Sequence, residues 1–337
     1  MHGSWRSDGI YVAGDAKQRY HDARGYGEPT DDEHIRLDPV EAAHLLYRGD
    51  LETVDGDGFT GFLNRVEEED FLSHLVVYKD LRERGYYLRP LGPEDEATFV
   101  VFERGSGPID GSIAYRIRVV DERSSIDVAS LQPGVLAIVD EEAEVGFIAI
   151  EHTSPRGDTE VPPYEGINAS VVGRRVLVWR PPKELYTASF FGQPLGGRDA
   201  VDDVLQLSLV EAKYLAANGI IDLDDGNLDS VIRELDGKRF DRRFAAYRAL
   251  REAGTVPKTG YKFGADFRVY RSFRSLEDMG HSDQLIRVLN PKGELSPMAI
   301  ALDVRLAHGV GKRMLFARGE ATDHRSIDWL SIERVTP

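Results

Sequence analysis

The sequence of 337 residues contains no cysteine. Disulfide bonds, thiolate metal sites and cysteine nucleophiles are therefore excluded. Long apolar runs are missing as well. No stretch approaches the roughly 18 residues that a membrane-spanning helix requires, and residues 1–13 lack the continuous apolar segment of a cleavable signal. These absences predict a soluble, cytoplasmic protein without a membrane partner.

Lysine is the next scarce component. The chain has 42 lysines and arginines against 58 aspartates and glutamates, which gives a net charge of −16, and few of the basic residues are lysines. This composition suits a salt-rich cytoplasm, because charge preserves solubility while ~1 M salt shortens the screening length to about 3 Å. We therefore expect a halophilic source. The negative charge does not exclude a nucleic-acid partner, since a halophilic surface is acidic whatever it binds.

An internal duplication organises the chain. The length favours two domains, and residues 37–46 share their pattern and spacing with residues 207–216. Both segments predict a helix that begins with a capping box and ends at a glycine. The shared positions are the caps Asp38 and Ser208, the capping-box partners Glu41 and Glu211, and the terminating glycines Gly49 and Gly219.

A second match supports the duplication. Residues 78–85 parallel residues 247–254 at nearly the same distance from the first match, and strand-like segments follow in both copies. We predict an α+β fold of two tandem repeats, residues 1–166 and 167–337, joined by the polar stretch 152–166. The predicted strands are 98–103, 113–120 and 135–139 in the first repeat, and 267–271, 284–289 and 313–317 in the second, where residues 298–308 form a helix.

Three reactive side chains belong to the second repeat alone. Tyr270 ends a strand, His281 precedes the next strand and Lys312 precedes a third. Each would be unremarkable alone, as a packing ring, a loop residue and a surface charge. Together they suffice to cleave RNA without a metal, because the 2′-hydroxyl is a built-in nucleophile that needs only a base, an acid and a cation. The first repeat has Phe102, Ser112 and Pro133 at or near these positions.

Residues 259–270, 281–282 and 304–312 resemble the catalytic half of archaeal tRNA-splicing endonucleases, and the resemblance extends over nearly the whole chain. The duplicated organisation is similar to the homodimeric subtype, which implies that residues 1–166 are a degenerate structural repeat and residues 167–337 the catalytic repeat. Each repeat would combine an N-terminal mixed α/β subdomain with a C-terminal nuclease-like βαβ subdomain, which covers about 255–337 in the second repeat.

The resemblance implies cleavage of precursor tRNA at bulge-helix-bulge intron boundaries, with no cofactor and no metal. Tyr270 would accept the 2′-hydroxyl proton, His281 would protonate the departing 5′-oxygen, and Lys312 would stabilise the charge on the phosphorane. The products would be a 2′,3′-cyclic phosphate and a 5′-hydroxyl. Alternatively, Tyr270 would only orient the 2′-hydroxyl through a hydrogen bond, and the sequence does not distinguish the two roles.

The resemblance also implies contacts with RNA and with a second copy. Arg305 matches an arginine that stacks on a bulged base, and Arg325, or alternatively Arg318, would be the second stacking arginine. An acidic turn of the structural repeat would insert into a basic pocket of the partner in a homodimer. The acidic side chains of this turn are Asp140, Glu141, Glu142 and Glu144.

Two other functions compete with this interpretation. A metal-dependent nuclease on a similar βαβ core would need two or three carboxylates near the lysine, for which Asp266 and Asp283 are the obvious candidates. A non-catalytic RNA-binding or assembly subunit is the other alternative, although the presence of all three reactive groups argues against it.

Overall fold

The computed structural model describes residues 1–31, 34–108, 111–197, 203–224, 227–277, 279–320 and 323–337, and it has an α+β fold. In these ranges no helix combines the length and the apolar character needed to cross a bilayer.

A small sheet opens the chain. Its five strands lie in the order β3-β4-β2-β1-β5, all neighbours being antiparallel except the parallel pair β1 and β5. The elements are β1 (His2–Arg6), β2 (Gly9–Val12), a π-helical turn (Lys17–Asp22), β3 (Glu28–Pro29), β4 (Ile35–Leu37), α1 (Pro39–Arg48), β5 (Thr53–Val54), α2 (Phe59–Leu63) and α3 (Phe71–Glu83).

The predicted capping box begins α1. The Asp38 carboxylate accepts a hydrogen bond of 2.9 Å from the Val40 amide, and the Glu41 carboxylate accepts one of 3.0 Å from the Asp38 amide. Two of the amides that a helix start leaves without partners are thereby satisfied. Gly49 ends the helix with φ +72°, a conformation that glycine adopts without strain. The predicted start and end of this helix are confirmed.

The first half continues with the strands β6 (Leu88–Pro90), β7 (Phe99–Phe102), β8 (Ile113–Asp121), β9 (Ile126–Asp127), β10 (Gly134–Val139) and β11 (Val145–Thr153). The crossover from β8 to the parallel strand β10 contains the short strand β9 and the single 3₁₀ turn Val128–Ser130, but no α-helix. A βαβ unit with a full helix, which the family resemblance implies for both halves, is therefore absent from the described part of the first half.

A second small sheet repeats the strand order of the first. Its order is β14-β15-β13-β12-β16, with the parallel pair again at the same end. The capping box of Ser208 and Glu211 begins α5, as predicted. The elements are β12 (Ile167–Val172), β13 (Arg175–Trp179), α4 (Lys183–Thr187), β14 (Gln193–Pro194), β15 (Val204–Leu207), α5 (Leu209–Ala217), β16 (Ile221–Leu223), α6 (Leu228–Leu235) and α7 (Gly237–Glu252).

The last part of the chain supplies the strands around the candidate site. They are β17 (Val256–Thr259), β18 (Phe267–Tyr270), β19 (Gln284–Leu289), β20 (Glu294–Leu295), β21 (Arg313–Arg318) and β22 (Asp328–Val335), together with α8 (Pro297–Gly309) and the 3₁₀ turns Tyr261–Phe263 and His324–Ser326. Here β19, α8 and β21 form a parallel βαβ crossover, as the family resemblance implies for this half.

One ten-stranded sheet joins the two halves. Its order is β17-β18-β19-β21-β22-β11-β10-β8-β7-β6, and the central antiparallel pair β11 and β22 connects them in a register that pairs Ile150 with Ile332. A short antiparallel pair, β9 with β20, adds a second connection. The boundary proposed near residue 166 therefore does not separate two independent sheets.

Three apolar cores hold this arrangement together. One lies between α1, α3 and the sheets of the first half, and a second lies between α5, α7 and the sheets of the second half. The third packs under α8 on the other face of the ten-stranded sheet and contains residues of both halves, including Ile148 and Phe316. Because this core is shared, α8 and the strands beside it are supported by the whole chain.

Candidate active site

Three neighbouring strands bring the predicted catalytic residues to one edge of the sheet. Tyr270 is the last residue of β18, Lys312 comes directly before β21, and His281 lies three residues before β19. The register pairs Val269 with Gln284 and Gln284 with Arg313. Because β19 runs antiparallel to β18 and parallel to β21, the end of β18 and the starts of the other two strands share this edge.

A cavity of about 630 Å³ opens at this edge and is lined by His281 and Lys312 but not by Tyr270. His281 is exposed, and Lys312 is half-buried. Residues near the ends of α8 and β22 also line the cavity. Its other lining residues include the cations Arg271, Arg313 and Arg334, together with Ser282, Asp283 and His308.

The Lys312 ammonium has two close neighbours. It donates a hydrogen bond of 2.6 Å to the carbonyl oxygen of Ser282, the residue after His281. It also lies 5.6 Å from the ring centroid of Phe263, within the range of a cation–π contact. These contacts hold the ammonium beside the backbone that carries His281. Sequence reasoning did not predict the contact with Phe263, and the aromatic residues of segment 259–270 were its only signal.

Tyr270 occupies a more buried position than the other two residues. Its side chain is 4% exposed and packs edge-on against the ring of Phe190, with the centroids 5.6 Å apart. The guanidinium of Arg268 lies 5.8 Å from the same ring. The ring is therefore part of the apolar core, while the next residue, Arg271, lines the cavity. The structure brings His281 and Lys312 into one cavity and leaves Tyr270 beside it.

Asp283 ties the three strand ends together. Its carboxylate accepts a hydrogen bond of 2.9 Å from the Arg271 amide, its own amide donates to the Val269 carbonyl, and its carbonyl accepts from the Arg313 amide. Such a bridge fixes the spacing of the strand ends that carry the site. The sequence identified Asp283 only as a candidate metal ligand.

The carboxylates suggested by the metal-dependent alternative have other partners. Asp266 accepts hydrogen bonds from Arg239 and from the Val288 amide and forms an ion pair with Arg243. Among the residues the structure describes, no three His, Asp or Glu side chains are grouped in a way that could hold a metal ion.

The α8 helix is anchored by an ion pair and presents Arg305 to solvent. Asp303 pairs with Arg287 of β19, and burial raises the pKa of Asp303 although the Arg287 charge opposes the shift. Ile300 and Val304 of this helix face the core, whereas Met298 and Leu306 are 55% and 45% exposed. Arg305 is exposed next to Leu306.

The two candidates for a second stacking arginine differ sharply. Arg325 is exposed on the turn His324–Ser326, which is tied to α7 by a 2.7 Å contact between His324 and Glu252. Arg318 donates to three carbonyl oxygens of the first half, at 2.8–3.1 Å, and to Asp328 at 2.5 Å. With four acceptors in the chain, Arg318 has little capacity to stack on RNA. The carbonyl acceptors belong to Val128, Ala129 and Leu131.

The acidic residues that the sequence analysis assigns to a dimer contact form the turn between β10 and β11. The Asp140 carboxylate accepts bonds from the amides of Glu142 and Glu144, at 3.0 and 2.8 Å, and so shapes the turn. Glu141 pairs with Arg123 at 2.5 Å. Glu142 and Glu144 are exposed. Two of the four residues therefore have partners in their own chain.

Comparisons with known proteins identify both kinds of domain and relatives that match over the full length of the chain. The model of the tRNA intron endonuclease catalytic C-terminal domain matches residues 240–329, and the model of the N-terminal domain matches residues 1–63 and again 167–235. The chain is 50% identical to the tRNA-splicing endonuclease of Halobacterium salinarum over the full length of both. It is 47% identical to that of Haloferax volcanii over the full length of both, and 35% identical to that of Methanosarcina mazei over 98% of this chain and 97% of the relative.

Two of these relatives come from halophilic archaea, in agreement with the source that the composition predicts. The matches extend from the first residues to the last strands and include both N-terminal segments. The chain therefore belongs to the tRNA intron endonuclease family.

Proposed function

We propose that this protein is a tRNA-splicing endonuclease that cleaves precursor tRNA at the two boundaries of a bulge-helix-bulge, without a metal, and acts as a homodimer in the cytoplasm. The observation that carries the proposal is the cavity that His281 and Lys312 line together in a chain of this family. The internal correspondence of strand order and capping boxes supports two tandem repeats, with residues 167–337 as the catalytic one.

The proposed reaction is a transesterification within the RNA. The 2′-oxygen forms a bond to phosphorus as the bond from phosphorus to the 5′-oxygen breaks, which leaves a 2′,3′-cyclic phosphate and a 5′-hydroxyl. His281 donates a proton to the departing 5′-oxygen, and Lys312 stabilises the negative charge on the phosphorane. Lys312 is suited to this role because the bond to the Ser282 carbonyl holds its ammonium at the cavity.

The role of Tyr270, as its phenolate, is to accept the 2′-hydroxyl proton and so become the neutral phenol. Its support is the position of Tyr270 at the end of β18, directly before Arg271 of the cavity. The packed ring fixes the direction of the phenol and costs little entropy when RNA binds. In the first half the same strand position carries Phe102, so packing alone does not require the hydroxyl.

Arg305 and Arg325 are proposed to stack on bases of the bulges. Both are exposed, and a planar guanidinium suits contact with an unpaired base. The exposed carboxylates Glu142 and Glu144 are proposed to enter a basic pocket of the second copy, while Asp140 and Glu141 shape and support the turn. At high salt such a contact depends on hydrogen bonds at short range more than on long-range attraction.

A single incubation tests the central proposal. A precursor transcript with a bulge-helix-bulge is mixed with the purified protein at high salt in EDTA, and the ends of the products are analysed. Cleavage at both bulges with cyclic phosphate ends is expected. Cleavage that EDTA abolishes and magnesium restores would favour the metal-dependent alternative, and binding without cleavage would favour a non-catalytic subunit.

The homodimer has its own test. The protein mass measured by light scattering at high salt should correspond to two chains, and the variant Glu142→Arg, Glu144→Arg should shift it toward one. A mass of one chain for the unaltered protein across a range of concentrations would contradict the proposed assembly.

A further inference from the structure

A surface beside the candidate active site combines positive charge with an exposed ring. The 3₁₀ turn Tyr261–Phe263 borders this site, because the Phe263 ring lies 5.6 Å from the Lys312 ammonium. Two residues earlier, Tyr261 is 87% exposed, and Lys262 beside it is exposed as well. An aromatic side chain this exposed contributes little to packing, so its presence calls for another explanation.

The start of α7 adjoins this turn through Asp266. The Asp266 carboxylate pairs with Arg239 at 3.0 Å and with Arg243 at 3.1 Å. The side chain of Arg239 nevertheless remains 65% exposed. Lys238 is exposed and Arg242 is half-buried. We call these residues the basic flank: Lys238, Arg239, Arg242, Tyr261 and Lys262.

Positive charge at the start of a helix is unfavourable for the helix itself. The N-terminal end carries a partial positive charge, so that acidic residues stabilise it and basic residues do not. The helix α7 begins at Gly237, and Lys238 and Arg239 lie in its first turn, where no acidic residue is present. Asp266 and the N-cap residue Asp236, which pairs with Arg243, compensate part of this charge. The remainder is available to an anion.

The corresponding surface of the first half has the opposite sign. Counting back from Tyr78 and Tyr247 places Glu69 opposite Lys238, and counting back from Phe99 and Phe267 places Glu94 opposite Lys262. In the first half these two segments also meet, because Glu68, Asp70, Asp95 and Glu96 line one cavity. The fold therefore tolerates acidic residues here, and the basic residues are specific to the half that contains Lys312.

We infer that the basic flank binds the backbone of the RNA next to the cleavage site, with Lys238, Arg239, Arg242 and Lys262 contacting phosphates and Tyr261 stacking on an unpaired base. This inference rests on the proposed function, since it needs RNA in the cavity. Asp266 binds the amide of Val288, four residues along β19 from Gln284 at the cavity. At about 3.3 Å per residue, the α7 end of the flank lies about 13 Å along the strand from the cavity, while the Tyr261–Phe263 turn borders the cavity, so that one RNA can contact both.

The salt dependence of RNA affinity distinguishes phosphate contacts from stacking contacts. Phosphate contacts release counterions, so each one steepens the fall of affinity with rising salt. Stacking on an aromatic ring does not depend on salt in this way. The charge-reversal variant Lys238→Glu, Arg242→Glu and the single variant Tyr261→Ala should therefore lose affinity with different salt dependence. The matched control is Arg175→Glu, Lys183→Glu, which changes the net charge equally at two exposed positions of the second small sheet and α4.

The experiment measures RNA affinity and cleavage kinetics for the four proteins at several salt concentrations, after thermal unfolding has shown that they fold. The charge-reversal variant is expected to bind a bulged precursor at least tenfold more weakly at the lowest salt, with a log–log salt slope smaller by about 1.5. Tyr261→Ala is expected to lose about tenfold at every salt concentration. Both losses should appear in KM more than in kcat, and the control should behave as the unaltered protein.

Each other outcome has a distinct meaning. If the unaltered protein neither binds nor cleaves the precursor, the proposed function itself fails. If it cleaves while both flank variants keep its affinity and salt slope, only the inference about the flank is overturned. If the variants lose dimer mass but their remaining dimers bind RNA normally, the flank contacts a second copy and the inference is again overturned.

Discussion

The ammonium of Lys258 lies 2.6 Å from the carboxylate of Glu211, and both side chains are almost fully buried. Lys258 also donates to the carbonyl oxygens of Phe190 and Gly192, at 3.1 and 2.9 Å. Burial, the largest influence, raises the pKa of Glu211, but the Lys258 charge together with the hydrogen bonds from Lys258 and Ser208 outweighs burial and lowers that pKa. The pair connects β17 of the large sheet to α5, and so attaches the small sheet of the second half to the strands of the candidate site.

Replacing Lys258 by methionine should destabilise the protein strongly. The variant leaves the Glu211 carboxylate buried without its cation, a change that typically costs about 3–5 kcal/mol of unfolding free energy. Denaturant unfolding at high salt measures it. Arg89→Met is the matched control, since Arg89 holds the corresponding place in β6 but is exposed, and its effect should stay within about 0.5 kcal/mol. Equal losses in the two variants would contradict the role of the pair.

Glu41, the counterpart of Glu211 in the first half, should make stability depend on pH. Burial raises the pKa of Glu41 to about 7 from an ordinary value of 4.5, although the amides of Gly27 and Asp38 donate to its carboxylate. The folded state therefore holds this proton at pH values where the unfolded chain has lost it. Stability should fall by up to about 3 kcal/mol as the pH rises from about 4.5 to about 7.

Glu41→Gln tests this pH dependence. Glutamine stays neutral and, like the protonated acid, keeps one good acceptor oxygen. The unfolding free energies of the two proteins are compared at pH 5 and at pH 8, so that groups titrating in both proteins cancel. The unfolding free energy of the variant should increase relative to that of the unaltered protein as the pH rises. A difference that stays constant between these pH values would show that Glu41 titrates normally.

Local features of this fold could be predicted from the sequence because local chemistry determines them. The helix starts at Asp38 and Ser208 follow from capping boxes that four consecutive residues define. The strand Gln284–Leu289 was predicted to the residue, and the other predicted strands agree within one or two residues. The helix α8 was predicted from its apolar pattern, whereas its place in a βαβ crossover was implied by the family resemblance.

Contacts between distant segments could not be predicted in this way. The pairing of β11 with β22 joins residues far apart in the chain, and nothing in either strand specifies its partner. The burial of Tyr270 depends on Phe190, in a different subdomain. The same holds for Arg318, whose acceptors lie in the first half. Its sequence context gave no means of distinguishing a structural arginine from an RNA-binding one.

Tyr270→Phe isolates the phenol hydroxyl from the packing of the ring. The ring is buried against Phe190, and phenylalanine preserves this contact, so the unfolding free energy should change by less than about 1 kcal/mol. Single-turnover cleavage should slow by roughly 10²-fold or more, the usual contribution of a positioned general base. An unchanged rate would remove Tyr270 from the reaction.

Lys312→Ala should slow cleavage by more than roughly tenfold, because it removes the cation that is proposed to stabilise the phosphorane. Dimer mass and thermal stability should stay close to those of the unaltered protein, since Lys312 is only half-buried. Lys292→Ala is the control, because the Lys292 side chain is 82% exposed and does not line the cavity. The single-turnover rate is the deciding measurement, and a Lys312→Ala rate equal to that of the control would exclude the proposed role.

Substitution of Arg318 should reduce stability, whereas substitution of Arg325 should weaken RNA binding. Arg318→Met removes the hydrogen bonds of Arg318 to three carbonyl oxygens and to Asp328, although the Val128 carbonyl keeps the Leu131 amide and Asp328 keeps His152. Hydrogen bonds to a charged group contribute about 1.5–3 kcal/mol each. We therefore expect a loss of at least about 2 kcal/mol in unfolding free energy. Arg325→Ala removes an exposed side chain and should leave stability unchanged while it raises KM for the bulged precursor severalfold. Denaturant unfolding and steady-state kinetics of both variants give the comparison, and the reverse pattern would identify Arg318 as the arginine that contacts RNA.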